Sequence, residues 1–238
     1  MSKNKNWREA IAEVSSQVKK GLNGKSCDLL IAFLSENYQD FEPSRFVSVL
    51  SHFIPSGTVI GCNSSGIISD SKEIEMEPAL SVLAMHLPDV KIYPFQLNEA
   101  DLAGFSAAPD LINTLDIYPP DKPHFIVFAD PATFDVVKFL HLSNEGYKGL
   151  PVIGGLASGA VMGVPNWIFL NGVLFQEGLV GVALTGDIEF DVIVSQGCRP
   201  VGKPYVITKA EGNVLYELAG RPSLEVVREL IQDLSQKT

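Results

Sequence analysis

One short pattern occurs twice in this chain and limits what it can fold into. Val59-Ile60-Gly61-Cys62-Asn63-Ser64-Ser65-Gly66 sets an apolar pair ahead of a glycine-framed turn, and Pro151-Val152-Ile153-Gly154-Gly155-Leu156-Ala157-Ser158-Gly159 repeats it at a shift of 93, from Val59 to Val152. The apolar residues read as a short buried strand. The glycines let the backbone bend where a larger Cβ substituent would obstruct it. The flanks repeat as well: Val82-Leu83-Ala84-Met85 matches Gly181-Val182-Ala183-Leu184 at a shift of 99, from Val82 to Gly181. A few extra residues are an ordinary loop insertion. The chain therefore reads as two related halves.

The first half opens with an amphipathic helix, because Trp7, Ile11, Val14 and Val18 recur at helical spacing. Cys27 to Leu34 is a nearly continuous apolar run, a buried strand. Pro43 suits the first turn of a helix with Phe46, Val49, Leu50 and Phe53 on one face. The next strand, Thr58 to Gly61, completes a parallel crossover unit. Ala79 to Leu87 and Val90 to Leu97 read as a hairpin turned at Pro88-Asp89, and Asn98 to Thr114 as a helix with a loop. Prolines 119, 120 and 123 form a stiff linker between the halves. The second half repeats the order. His124 to Ala129 is a strand, Asp130-Pro131 reads as an N-cap and first helical turn, and Leu150 to Gly154 is the next strand. Asn166 to Gln176 is extended or hairpin-like, and Leu179 to Thr185 with Ile188 to Ser195 reads as a second hairpin. Tyr205 to Lys209 is one more strand. Leu224, Val227, Ile231 and Leu234 share a face of a final helix begun by Pro222. The boundaries expected are an N-terminal helix over 1–25, a first half over 26–118, a second over 119–212 and a helical tail over 213–238. The fold class is α/β: two halves, each a β-α-β crossover plus a β-hairpin, packed into one mixed-sheet body.

A hydrophobic share of 46% in 238 residues can build a sizeable core. The formal net charge of −10 opposes nucleic-acid binding, which needs a positive field to displace counterions, and opposes a polybasic membrane anchor. Cys27, Cys62 and Cys198 are odd in number and far apart, which fits free thiols in a reducing compartment. The first 24 residues carry charges throughout and do not form a secretory signal. No run approaches the ~18 apolar residues of a membrane helix. The expected location is the cytoplasm.

Both glycine loops have the spacing G-x-x-x-x-G, yet Ile67 and Ala160 stand where a phosphate loop needs Lys. Two readings remain. In one, the loops are tight turns that let the halves pack closely. In the other, their backbone N–H groups hold an anion such as a carboxylate, with hydroxyls and amides of Asn63, Ser64, Ser65 and Ser158 beside them. Arg199, in the loop Ser195-Gln196-Gly197-Cys198-Arg199-Pro200, could grip a carboxylate with two parallel bonds, and Lys203 is near it in sequence. Cys62 and Cys198 lie in glycine-rich loops, but none of His52, His86, His124 or His141 sits in a motif beside a cysteine to act as its base. No metal-ligand spacing is present.

Several ordered strings carry a family resemblance. The second glycine loop, Gly178-Leu179-Val180-Gly181-Val182-Ala183-Leu184, Ser195-Gln196-Gly197-Cys198-Arg199-Pro200-Val201-Gly202 and Thr208-Lys209-Ala210-Glu211-Gly212-Asn213 resemble the N-terminal FIST domain. Ile60-Gly61-Cys62-Asn63-Ser64-Ser65-Gly66 is similar to it too. The resemblance runs from about Asp28 to Pro222. It implies an intracellular sensory module for small ligands such as amino acids, with signalling or F-box adaptor partners and no reaction of its own. FIST proteins continue into a C-terminal domain. Here Pro222-Ser223-Leu224-Glu225 resembles its lead-in, and most of that domain is expected to be missing. The function expected is a non-catalytic sensory domain for an amino acid or other carboxylate. The alternative is a protein-interaction scaffold, and a cysteine-dependent enzyme ranks third. The expected ligand contacts are Gly61, Cys62, Asn63, Ser64, Ser65, Gly155, Leu156, Ala157, Ser158 and Arg199, with no catalytic residue, metal or cofactor.

Overall fold

Asn6 starts helix α1 (Trp7–Leu22) by accepting the amides of Arg8 and Glu9, and Asn23 ends it in the left-handed conformation. The helix buries Trp7, Ala10, Ile11 and Val14, the stripe its spacing predicts. The computed structural model describes residues 1–38, 41–69, 72–160, 165–194, 200, 202–212 and 214–235, with the side chains of 233–235 excepted. Two units result, Met1–Asp191 and Val192–Thr238.

In the first unit, β1 (Cys27–Ser35), α2 (Pro43–Phe53) and β2 (Ser56–Ser64) form a crossover, with β1 and β2 parallel and Ala32 opposite Gly61. A small hairpin follows, β3 (Gly66–Ser69) and β4 (Lys72–Glu75). Strand β5 (Leu80–Met85) lies antiparallel to β1. Next come β6 (Val90–Leu97), α3 (Glu99–Gly104) and α4 (Ala108–Leu115). The second crossover is β7 (His124–Ala129), α5 (Val136–Gly146) and β8 (Val152–Leu156), again parallel, with Val127 opposite Gly154. Strands β9 (Ile168–Leu170) and β10 (Val173–Phe175) form a hairpin, and β11 (Leu179–Gly186) lies antiparallel to β7. The sheet orders are β10-β9-β2-β1-β5 and β6-β11-β7-β8.

Three apolar clusters assign the layers. Trp7, Ile11, Leu30, Phe46, Leu50 and Phe169 join α1 and α2 to the outer face of the first sheet. Leu102, Leu111, Phe125, Phe139 and Leu142 join α3, α4 and α5 to the outer face of the second. Leu29, Ile31, Ile60, Cys62, Ile126, Phe128, Val180 and Val182 fill the space between the sheets. Helices thus cover the outside of two facing sheets.

The expected hairpins do not form. β5 pairs with β1 in one sheet, while β6 pairs with β11 in the other, Val90 opposite Gly186. The link between them is pinned by Asp28, which accepts the Leu87 amide at 2.6 Å and lies 3.0 Å from His86 Nδ1. Asp89 then turns the chain in the left-handed region. Residues 188–194 are not a strand; Ile188 and Phe190 instead pack on the inter-sheet cluster. The helix expected at Asp130-Pro131 begins later, capped by Asp135, which accepts the Lys138 amide at 2.9 Å. Asp130 makes a turn whose carboxylate accepts the Thr133 hydroxyl at 2.7 Å.

The second unit holds β12 (Ile207–Glu211), β13 (Val214–Leu218) and β14 (Arg221–Pro222) in one antiparallel sheet, followed by α6 (Ser223–Ser235). Within it Val226 is buried, while Leu224, Val227 and Ile231 of the expected stripe are exposed. The Leu234 side chain lies outside the described residues.

Candidate functional site

The two crossovers end at the same place. β2 runs through Gly61, Cys62, Asn63 and Ser64, so these are strand residues, and the intervening turn is Ser65 alone before β3 begins. Gly154, Gly155 and Leu156 likewise belong to β8. Past the carboxyl ends the two turns meet. Ser158 Oγ lies 3.2 Å from Ser64 Oγ, receives the Ser65 amide at 3.2 Å and accepts the Ser65 hydroxyl at 3.3 Å. The Ser158 amide donates to the Asn63 carbonyl at 3.4 Å. Gly159 is required here, because a Cβ on it would stand 2.5 Å from Asn63 Nδ2.

Asn63 is held on three sides. Its amide donates to the Trp167 carbonyl at 3.1 Å, and its Oδ1 accepts the Trp167 amide at 3.0 Å. A second buried link ties β7 to the same segment: Asn166 Nδ2 donates to Asp130 Oδ1 at 2.9 Å, and Thr133 Oγ1 accepts the Gly178 amide at 3.1 Å.

Six buried side-chain polar atoms among the described residues have no hydrogen-bond partner: Glu36 Oε2, Asn37 Nδ2, Tyr38 Oη, Asn63 Nδ2, Asn166 Oδ1 and His124 Nδ1. Glu36, Asn37 and Tyr38 follow β1, Asn63 lies in the last turn-ward residues of β2, Asn166 precedes β9, and His124 starts β7. Unpaired buried polar atoms each cost about 1–3 kcal/mol. A cavity of about 420 Å³ lined by Lys5, Asn37, Met76 and Pro78 opens beside the segment leaving β1.

Of the sequence-derived contacts, Asn63, Ser64, Ser65 and Ser158 come together here. Ala157 is buried in the inter-sheet cluster next to them. Cys62 is in that cluster too, where burial pushes its thiol up to about 12, so it remains a protonated core residue. Gly61 packs under the Phe169 ring. Leu156 is exposed at the end of β8. The amides of Pro151's neighbours alternate: Phe125 bonds the Pro151 carbonyl and Ala157 bonds the Ala129 carbonyl, which turns Gly155 toward β7. The amides of Ser65 and Gly155 are thus already engaged. Arg199 and Cys198 lie outside the described residues. The sequence reading misses Glu36, Asn37 and Asn166, and it reads Asp130 as a helix cap. For Glu36 a signal exists, since it directly follows the parallel strand β1, with Asn37 next to it; Asn166 has none.

The FIST N-domain model matches residues 28–221, the span on which both crossovers and both turns lie. The chain belongs to the FIST N-domain family. That family is associated with small-molecule sensing in signal transduction. The FIST chain is 31% identical over 229 residues to an uncharacterized protein of Mycobacterium bovis, covering 96% of this chain and 57% of that one. It is 29% identical over 225 residues to an uncharacterized protein of Mycobacterium tuberculosis, covering 94% and 56%. An archaeal relative from Methanocaldococcus jannaschii is 25% identical over 236 residues, 94% of this chain and 44% of that one. The chain spans about half the length of the curated relatives it matches. Among the described residues, no helix is long and apolar enough to cross a membrane, and no group of three His, Cys, Asp or Glu could hold a metal.

Proposed function

We propose that this FIST domain is a non-catalytic sensory module in the cytoplasm that binds a small ligand, an amino acid or another carboxylate, across the carboxyl ends of β1, β2 and β8. The observation that carries the reading is the buried, unpartnered Asn63 Nδ2 beside the serine cluster, where Ser158 ties the ends of β2 and β8 together. Open α/β sheets take ligands at strand carboxyl ends, where turns leave polar groups unpaired. Asn63 Nδ2 is a donor, and the hydroxyls of Ser64, Ser65 and Ser158 can exchange bonds among themselves for bonds to a carboxylate. We also propose that the two halves descend from one duplicated unit, which their equal registers, Ala32 opposite Gly61 and Val127 opposite Gly154, support.

Thermal-shift screening against amino acids and small carboxylates tests the reading. A true ligand raises Tm increasingly with concentration, by an amount equivalent to ~2.7 kcal/mol at a hundredfold excess over Kd. Ser158→Ala should abolish the response while leaving the ligand-free Tm close to wild type. A flat screen would favour the alternative, a scaffold that binds a protein and no metabolite. That alternative draws on the exposed apolar side chains of α6, Leu224 and Val227.

A further inference from the structure

The two parallel pairs differ at their outer edges. In β2, the outward groups are those of Val59, Gly61 and Asn63, and β9 occupies all three. Val59 bonds Asn171 in both directions, Gly61 is opposite Phe169, and Asn63 donates to Trp167. The corresponding positions in β8 are Val152, Gly154 and Leu156. Because Pro151 and Ala157 bond β7, the two-residue alternation turns Ile153 and Gly155 inward and leaves the N–H and C=O groups of Val152, Gly154 and Leu156 pointing away from the sheet. Among the described residues, β8 is the end strand of its sheet.

The face beside that edge is apolar. A groove of about 300 Å³ lies between β8 and α5, lined by Val127, Val136, Leu140, Val152, Leu156 and Leu179. Leu140 is 38% and Leu156 is 53% exposed. In the first sheet the matching space, over Gly61, is filled by the Phe169 ring, whose Cζ would be 2.5 Å from a Cβ on Gly61. Gly154 likewise has no room for a Cβ, which would overlap the Val127 carbonyl. An edge with free hydrogen-bonding groups is a template for one more strand.

We infer that β8 is a docking edge for an antiparallel strand that places an aromatic side chain opposite Gly154, the ring entering the groove between β8 and α5. The occupant is a strand from the polypeptide that longer FIST proteins carry outside this domain. In the two mycobacterial relatives 56% and 57% of the length is matched, and the remainder is long enough to supply one. The chain's own β9 shows the chemistry required: a continuous apolar run with Phe169 at the centre.

A synthetic peptide of the Asn166–Phe175 sequence, flanked by lysines for solubility, serves as the probe. Hydrogen exchange on the intact chain should find the amides of Val152, Gly154 and Leu156 fast alone and at least tenfold slower with peptide. Leu156→Pro removes an outward N–H that bonds nothing in this sheet, and Leu140→Asp places a charge in the groove; each should weaken the peptide at least tenfold. The same loss is expected when the peptide carries F169A. Unchanged exchange at those three amides, or equal binding of the F169A peptide, overturns the proposal. Protection that rises with protein concentration without peptide identifies a second copy instead and also overturns it. In the intact Mycobacterium bovis relative, the amides aligned with these three should be protected at least a hundredfold, and fast exchange there rejects the assigned occupant.

Discussion

Strands β2 and β8 each close a parallel crossover, carry a glycine at the same register and lead into a turn at the same serine cluster, yet among the described residues one has a strand on its far side and the other has none. β2 runs nine residues and carries the β9–β10 hairpin. β8 runs five and, among the described residues, carries no further strand. Local sequence is similar at both, so the difference comes from which later segment reaches each edge. The chain leaving Ser158 passes Asn63 and returns along β2, held there by the Trp167 and Asn171 bonds. The chain leaving Ser65 folds on itself as β3 and β4, and packs Ile67 and Ile74 against Ala79. A covered edge and a bare edge therefore arise from two similar turns whose downstream residues find different partners.

The largest test of this contrast is Phe169→Ala. The ring is fully buried over Gly61, and its loss should cost about 3–5 kcal/mol in chemical denaturation. No such ring lies over Gly154, so no single truncation at the β8 edge should approach that value. A cost below about 1 kcal/mol would mean that the hairpin does not hold β2.

Next come Gly61→Ala and Gly154→Ala. Each new Cβ would overlap a neighbouring carbonyl oxygen, that of Ala32 or Val127, and only at Gly61 does it also meet an aromatic ring. Both should destabilise by about 1–3 kcal/mol, Gly61→Ala by more. Equal losses would show that the ring yields easily and that the backbone contact alone demands glycine.

A smaller effect is expected at the link that sends β6 to the second sheet. The Leu87 amide bond, with help from Ser26 and His86, holds the Asp28 carboxyl below the usual carboxylate range. A carboxylate whose folded pKa is depressed stabilises the fold above its unfolded value of about 3.9. That stabilisation is lost as pH falls through the folded value. Asp28→Asn should therefore be less stable than wild type at pH 7, and the gap should close below about pH 4. Melting curves across pH 2–7 measure it, and a gap that persists at pH 2 would assign the loss to geometry instead of charge.

The smallest expected effect is at Leu140. It is partly exposed on the bare side of the second sheet, and Leu140→Asp should change stability by no more than about 0.5 kcal/mol. A loss above 2 kcal/mol would show that the groove is part of the core.

Much of this organisation was legible from residue patterns. The α1 stripe, both parallel crossovers, the β9–β10 extended segment and the family membership follow from periodicity, from apolar runs and from ordered strings. So does the meeting of the two turns, because parallel strands end on one side of a sheet and similar units place their ends alike. Asn63, Ser64, Ser65 and Ser158 could be nominated for that reason. Cys62 reads as a loop residue, because the glycine and small polar residues around it resemble a turn; the strand instead continues through it to Ser64 and buries it.

The pairing of β5 and β6 was beyond the sequence. Each strand alternates well enough to pair with the other, and a tight Pro-Asp link is compatible with a hairpin. The bonds from Asp28 to the link, and the free edge of β11, decide against it, and both depend on residues remote in the chain. The same holds for Asp130. Next to Pro131 it has the composition of an N-cap, but Asn166 and Thr133 compete for its oxygens, and the helix starts at Asp135 instead. What the chain determined alone was the position of α1, α2, β1, β7 and β11, since short-range sterics and apolar spacing act within a few residues. Which strand lies beside which, and which buried amides are left without partners at the strand ends, is decided by hydrogen bonds between residues up to 112 positions apart, as in the Asn171 bond to Val59. Those bonds exist only once the two sheets have closed on their common core.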